Sequence, residues 1–198
     1  MNKHDSFNKL FENGISYKEY TKKSDKHKER MNDSFNAGQM AVNRLPQDKV
    51  SLLNEKLRVL CIAESWCGDC ANGVPIIAVL ADILPNWTFR ISSRDSYPDE
   101  IESFYSTAGR KKIPVIVFAD EDGDEIMRWI ERPMRSYRLL GKLKDQNLTK
   151  ERYLEQYKDT LEFKPPFVSE EILKELIRVA EKAASIVRAN PPSKKVRE

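Results

Sequence analysis

The chain has 198 residues, a length that fits one domain with elaborations and is enough to bury a proper core. Charged residues make up 33% and apolar residues 40%, which suits a globular protein with many surface helices. A net charge of +3, spread over interleaved basic and acidic residues, gives no argument for a nucleic-acid partner. Met1 to Gly14 has no apolar core of signal-peptide length, and no run approaches a membrane span. Three cysteines without a signal peptide fit a reducing compartment, where a disulfide is transient and catalytic rather than structural. The expected location is the cytoplasm, with neither a nucleic acid nor a membrane as partner.

In chain order, the first zone (residues 1–45) reads as a polar, helical extension. Tyr17, Tyr20 and a lysine-rich stretch lead to Met31, Phe35, Met40 and Val42 at roughly helical spacing. Pro46 opens a short helix carrying Val50, Leu52, Leu53 and Leu57, a proline being acceptable in the first turn. The second zone (46–133) alternates strand and helix patterns. Arg58 to Ala63 is a short apolar run typical of a strand buried on both faces, and Gly68 to Leu84 is a helix. Trp87 to Ser92 is a second strand, Pro98 to Ala108 a helix, and Pro114 to Ala119 a third strand rich in β-branched residues. Glu121-Asp122-Gly123-Asp124 is a hairpin turn into a fourth strand, Glu125 to Ile130. The third zone (134–190) is a second helical extension packed on the domain. Thr149 to Phe163 and Ser169 to Ala189 are its amphipathic helices, with Ser169 as the N-terminal cap of the latter. Residues 191–198 read as a flexible tail. The order predicts an α/β fold, a mixed central sheet of about four strands flanked by helices, with helical extensions at both ends.

The richest segment is Glu64-Ser65-Trp66-Cys67-Gly68-Asp69-Cys70. It places two thiols one helical turn apart, after an apolar strand and at the start of a helix. Such a pair can close and open a small disulfide, and the helix N-terminus can activate one of its members. Around it the sequence resembles the thioredoxin superfamily. Trp66 precedes the pair, Gly68 follows the first cysteine, and Pro75 sits five residues after Cys70. Ile113-Pro114 opens the third strand, at the place of the family's cis-proline. The covered tract runs from about Pro46 to Ile130. Residues 14–20 and the Trp-Cys-Gly-Asp-Cys centre further resemble a bacterial subgroup of larger thioredoxin-like proteins with extra terminal helices.

The resemblance implies a thioredoxin-like fold and dithiol chemistry. Cys67 would be the nucleophile and Cys70 the resolving thiol. Trp66, Gly68, Asp69, Ile113 and Pro114 would meet the substrate, a disulfide-containing protein. A reductase or dithiol protein would donate the electrons, and no metal or organic cofactor is called for. A helix N-terminus favours a thiolate by ~0.3–2 kcal/mol, or roughly up to 1.5 pKa units. Two departures from the family stand out. Asp69 replaces a proline between the cysteines, and Cys61 stands where thioredoxins keep a buried aspartate. Asp69 is expected to sit ionised and exposed in the first turn and to make Cys67 less acidic, which favours reduction. Without the aspartate, Glu64 becomes the candidate base for Cys70, the other reading being a surface glutamate. Arg110-Lys111-Lys112 either line the rim of the site as a counterweight to Asp69 or form a solvated loop. Cys61 reads as a buried, inert residue rather than a third redox thiol.

Three other readings compete. Zinc would need further ligands, and His4 and His27 lie in the N-terminal zone, remote in sequence. A binding or chaperone-like module could keep this fold and recognise a partner through its helical extensions. Glutathione-dependent use is the third, without a clear glutathione signature in the chain. The outer helices suit either covering a sheet edge or forming a dimer.

Overall fold

The structure is a computed structural model, and it describes residues 1–24 and 26–190. The tail expected at 191–198 lies outside the described residues. Four helices come first: α1 (Lys3–Glu12), α2 (Tyr17–Lys23), α3 (Lys28–Val42) and α4 (Gln47–Leu53). Then come β1 (Leu57–Ala63), α5 (Gly68–Asp82), β2 (Trp87–Ser93), a short α6 (Pro98–Glu100) running into a wider π turn at Ile101–Tyr105, β3 (Val115–Ala119) and β4 (Glu125–Ile130). Three helices close the chain: α7 (Met134–Lys144), α8 (Lys150–Lys158) and α9 (Phe167–Ala189).

The sheet order is β2-β1-β3-β4, with β1 parallel to β2 and the other pairs antiparallel. Every residue of β3 is buried, as its unbroken Val-Ile-Val-Phe-Ala run requires of a strand covered on both faces. Arg58 shares a face of β1 with Leu60 and Ile62 and reaches α1, where its guanidinium lies 4.2 Å from the Phe11 ring centre and donates to Asn8 Oδ1. The opposite face receives α5, against which α3 and α9 pack. Gly38 lets α3 come close: a Cβ there would lie 3.0 Å from Ile76 Cδ1. Phe7 and Leu10 of α1, Met31 of α3 and Leu176 and Ala180 of α9 belong to the same buried cluster as the strands.

Among the described residues, a single one pairs by backbone with the outer edge of β2. Ile15 and Ile91 exchange two backbone hydrogen bonds, of 2.8 and 2.9 Å, in an isolated antiparallel bridge. Gly14 makes this approach possible, since a Cβ there would stand 2.8 Å from Arg90 Cβ and 3.0 Å from the Phe11 carbonyl oxygen.

Four helix expectations are corrected. Leu57, read on the helix opened by Pro46, is the first residue of β1, because α4 ends at Leu53. The helix opened by Pro98 stops at Tyr105, where Ser106 turns extended (φ −68°, ψ 150°); left-handed Ala108 and Gly109 (φ 49° and 67°) then make a turn across which Thr107 and Arg110 pair. The helix capped by Thr149 ends at Lys158 instead of Phe163; the Thr160 hydroxyl bonds back to the Tyr157 carbonyl and the chain turns. Ser169 does not cap α9. The helix starts at Phe167 after Pro166, because Val168 gains burial by joining it, and Ser169 is sealed inside the first turn.

Candidate active site

β1 delivers the chain to a turn at residues 64–66, and Cys67 takes the cap position of α5 in extended conformation (φ −88°, ψ 122°). Its sulfur accepts the Cys70 backbone N–H at 3.3 Å, as a capping oxygen would. On its other side it lies 3.7 Å from the Ile113 carbonyl oxygen. That contact sets the loop before β3, which contains the cis Ile113–Pro114 bond, beside the cysteines.

The two thiols are unlike. The Cys70 S–H donates to Cys67 and, with the backbone N–H groups of Cys70 and Asp69, holds the Cys67 pKa below its ordinary value, against its own burial and the Asp69 carboxylate. Cys70 is fully buried, and burial pushes its thiol well up, reinforced by donation to Cys67. The Glu64 backbone N–H pulls weakly the other way. Cys61, also fully buried, has its thiol pushed up by burial. One accessible sulfur is thus poised to ionise, and a protonated partner lies one turn deeper.

Asp69 departs from expectation. Its side chain keeps only 16% of its exposure and pairs with Arg132, Oδ2 accepting from Nη2 at 2.5 Å. Burial outweighs that cation and pushes its carboxyl up to about 6. Arg132 also donates to Glu131 Oε1 at 2.8 Å, and Glu131 Oε2 accepts from Tyr137 Oη at 2.6 Å and from Lys112. Glu131 sits in the left-handed region (φ 61°), its N–H bonded to the Pro114 carbonyl at 2.7 Å. The counter-ion of Asp69 is therefore Arg132, while Lys112 is committed to Glu131 and Lys111 to Glu102 (3.0 Å).

Trp66 stands at the rim, 43% exposed. Its indole N–H donates to Asp95 (3.2 Å), and the Arg94 guanidinium lies 4.7 Å from the ring centre while donating to the Lys111 carbonyl. His27 is close in space, contrary to its remoteness in sequence: its Nε2 is 3.2 Å from the Trp66 carbonyl oxygen. Among the described residues no group of three or more His, Cys, Asp or Glu side chains is placed to hold a metal ion. The structure puts Glu64's backbone against Cys70 and turns its carboxylate toward β2, where Oε1 accepts from Ser93 Oγ (2.6 Å) and the Asp95 N–H (2.8 Å). Trp66, Cys67, Gly68, Asp69, Cys70, Ile113 and Pro114 come together at one end of the sheet.

Sequence reasoning passed over several groups. Phe163 lies on Gly68, where a Cβ would be 3.2 Å from its Cζ, and its carbonyl accepts from Asn72 Nδ2 at 3.0 Å. Arg30 of α3 lies over that ring, 4.2 Å from its centre. Asn72 was the available signal, a polar amide inside an apolar helix, and buried amides need partners. The Arg132-Pro133 pair stands out in sequence just past the last strand, but nothing there ties Arg132 to Asp69, 63 positions away.

A thioredoxin family model matches residues 14–147. Two solved structures share the fold, each covering 88% of this chain and 96% of its own, with a TM-score of 0.63. One is a protein of unknown function from Pseudomonas aeruginosa, 18% identical, and the other an HIV epitope-scaffold, 17% identical. No curated protein matches the chain. With a family match over well more than half its length, a four-stranded sheet of this order and a cis-proline beside a Cys-x-x-Cys helix, the chain belongs to the thioredoxin family.

Proposed function

We propose that this protein is a thiol–disulfide oxidoreductase that reduces protein disulfides in the cytoplasm. The observation that carries the reading is the division of labour within one turn of α5. Cys67 is half-buried with its pKa lowered, and Cys70 is fully buried with its pKa raised. In the first step the Cys67 thiolate attacks a substrate disulfide, and one substrate sulfur leaves as a thiolate. In the second, Cys70 attacks Cys67, closes the Cys67–Cys70 disulfide and frees the other substrate sulfur. A reductase or dithiol protein then restores the pair. Trp66 and the Ile113–Pro114 loop flank the attacking sulfur and form the surface that substrate meets. The Asp69 carboxylate raises the Cys67 pKa, which leaves the dithiol the better reductant and favours this direction.

The test is trapping. A Cys70→Ser variant is expected to accumulate mixed disulfides through Cys67 that dithiothreitol releases, while Cys67→Ser accumulates none. The wild type is expected to reduce insulin disulfides with dithiothreitol as donor. No trapped species together with no insulin reduction would favour a binding module on the same fold.

A further inference from the structure

The family resemblance puts Trp66, Gly68, Asp69, Ile113 and Pro114 on the surface that substrate meets. The chain itself takes Gly68 and Asp69. Gly68 lies under the Phe163 ring, where a Cβ would be 3.2 Å from Cζ. Asp69 accepts from the Arg132 guanidinium at 2.5 Å. Both covering side chains come from beyond β4. What stays open beside Cys67 is Trp66, exposed at the rim, and the loop whose Ile113 carbonyl lies 3.7 Å from the sulfur.

Phe163 is pinned rather than draped over the site. Its carbonyl accepts from Asn72 Nδ2 at 3.0 Å, and Asn72 is buried on α5, the helix that starts at the cysteines. The Arg30 guanidinium lies over the ring, and the Tyr157 ring packs on it with centres 5.1 Å apart. Leu140, Leu143, Tyr157 and Phe163 form a buried cluster of their own, apart from the main core. α7, α8 and the turn after them thus bring a small, separate core up to the first turn of α5 and leave a ring there as a fixed wall.

Disulfide exchange needs the Cys67 sulfur to touch a substrate sulfur. Cys67 is half-buried, so the substrate must reach in toward it. A disulfide on an extended segment reaches in between Trp66 and the Ile113 loop and clears the ring. One set flush in a folded surface brings its surroundings with it, and these meet Phe163 before the sulfurs touch. Exclusion by clash is a general source of specificity. We propose that Phe163 is a specificity-determining residue: its ring, held over Gly68 by Asn72 and Arg30, limits Cys67 to disulfides carried on extended segments and shuts out those set flush in a folded surface. The proposal rests on the disulfide-exchange reading above and leaves its chemistry unchanged. The Cys67 thiolate forms a bond to one substrate sulfur, and the other leaves as a thiolate.

The test holds the leaving group constant and varies the carrier. Thionitrobenzoate is joined by a disulfide to the cysteine of a short Gly/Ser peptide, or to a single helix-surface cysteine of a folded carrier protein. Release of the coloured thiolate is followed by stopped flow in a Cys70→Ser background, so that attack by Cys67 alone is read. The peptide is expected to react at least about tenfold faster than the folded carrier, a step of the size that pocket shape produces. Phe163→Leu is expected to narrow that ratio about tenfold by speeding the folded carrier. Leucine keeps an apolar side chain in the α7–α8 cluster. Should that variant still fail to fold, Asn72→Ala, which frees the Phe163 carbonyl and keeps the ring, is expected to narrow the ratio in the same direction. A parent ratio near one, an unchanged ratio in the folded variant, or narrowing through a slower peptide reaction overturns the role of Phe163 while leaving the exchange chemistry standing. Absence of Cys67-dependent release from the peptide overturns both.

Discussion

Asp69 is a carboxylic acid placed where its charge affects both stability and nucleophilicity. Its pKa in the fold, about 6, is above the ordinary ~3.9. Between those values the folded protein holds a proton that the unfolded chain has released. Asp69's contribution to stability is therefore present at low pH and falls as pH rises from about 4 toward 6. Above 6 the carboxylate is ionised and opposes the Cys67 thiolate. Asp69→Asn is expected to lower the Cys67 pKa by about half a unit to one unit. The pH dependence of iodoacetamide alkylation measures it, and a midpoint at or above that of the wild type would contradict the account. Arg132→Met leaves the half-buried carboxylate without its cation and is expected to cost ~3 kcal/mol in urea unfolding at pH 8. Combined with Asp69→Asn, the same change should cost clearly less than the sum of the two. The acid's position in the first turn was legible from sequence, its partner was not. Local spacing says that Asp69 begins a helix, but only tertiary packing says that α7 and its preceding loop bring Arg132 over it.

Elements bounded by local chemistry were the readable ones. β1 and β4 begin within a residue of where apolar runs and the Asp-Gly turn put them, because those signals lie within the element. α6 and α8 were overextended, because a helical pattern of side chains does not register the extended Ser106 or the folded-back hydroxyl at which each helix stops. The Ile15 bridge was invisible, being one residue long. Gly14 should be its most sensitive point. Gly14→Ala puts a methyl against Arg90 and the Phe11 carbonyl and is expected to destabilise by about 1–3 kcal/mol. Denaturant titration checks this, and a neutral result would mean that α1 and β2 can shift apart freely.

For the molecule as a whole, the helices outside the sheet are structural partners of the site. Leu176 and Ala180 of α9 are fully buried against the sheet side, and Glu175 accepts from the Trp129 indole (2.8 Å) and the Met134 N–H (2.7 Å). Leu176→Ala is expected to cost ~2–5 kcal/mol and to lower a single cooperative unfolding transition rather than split it in two. Amphipathic spacing revealed that such helices exist, but it carries no information on which surface they cover. The contact of Phe163 with Gly68 bears on redesign. Tuning the exchange chemistry proposed above would begin with the two residues between the cysteines. Here the first of those positions is filled by a ring arriving from 95 residues downstream, and the second is tied to Arg132. A new dipeptide there would have to be chosen together with the seat of the C-terminal helices, so potential and assembly form a single engineering variable in this chain.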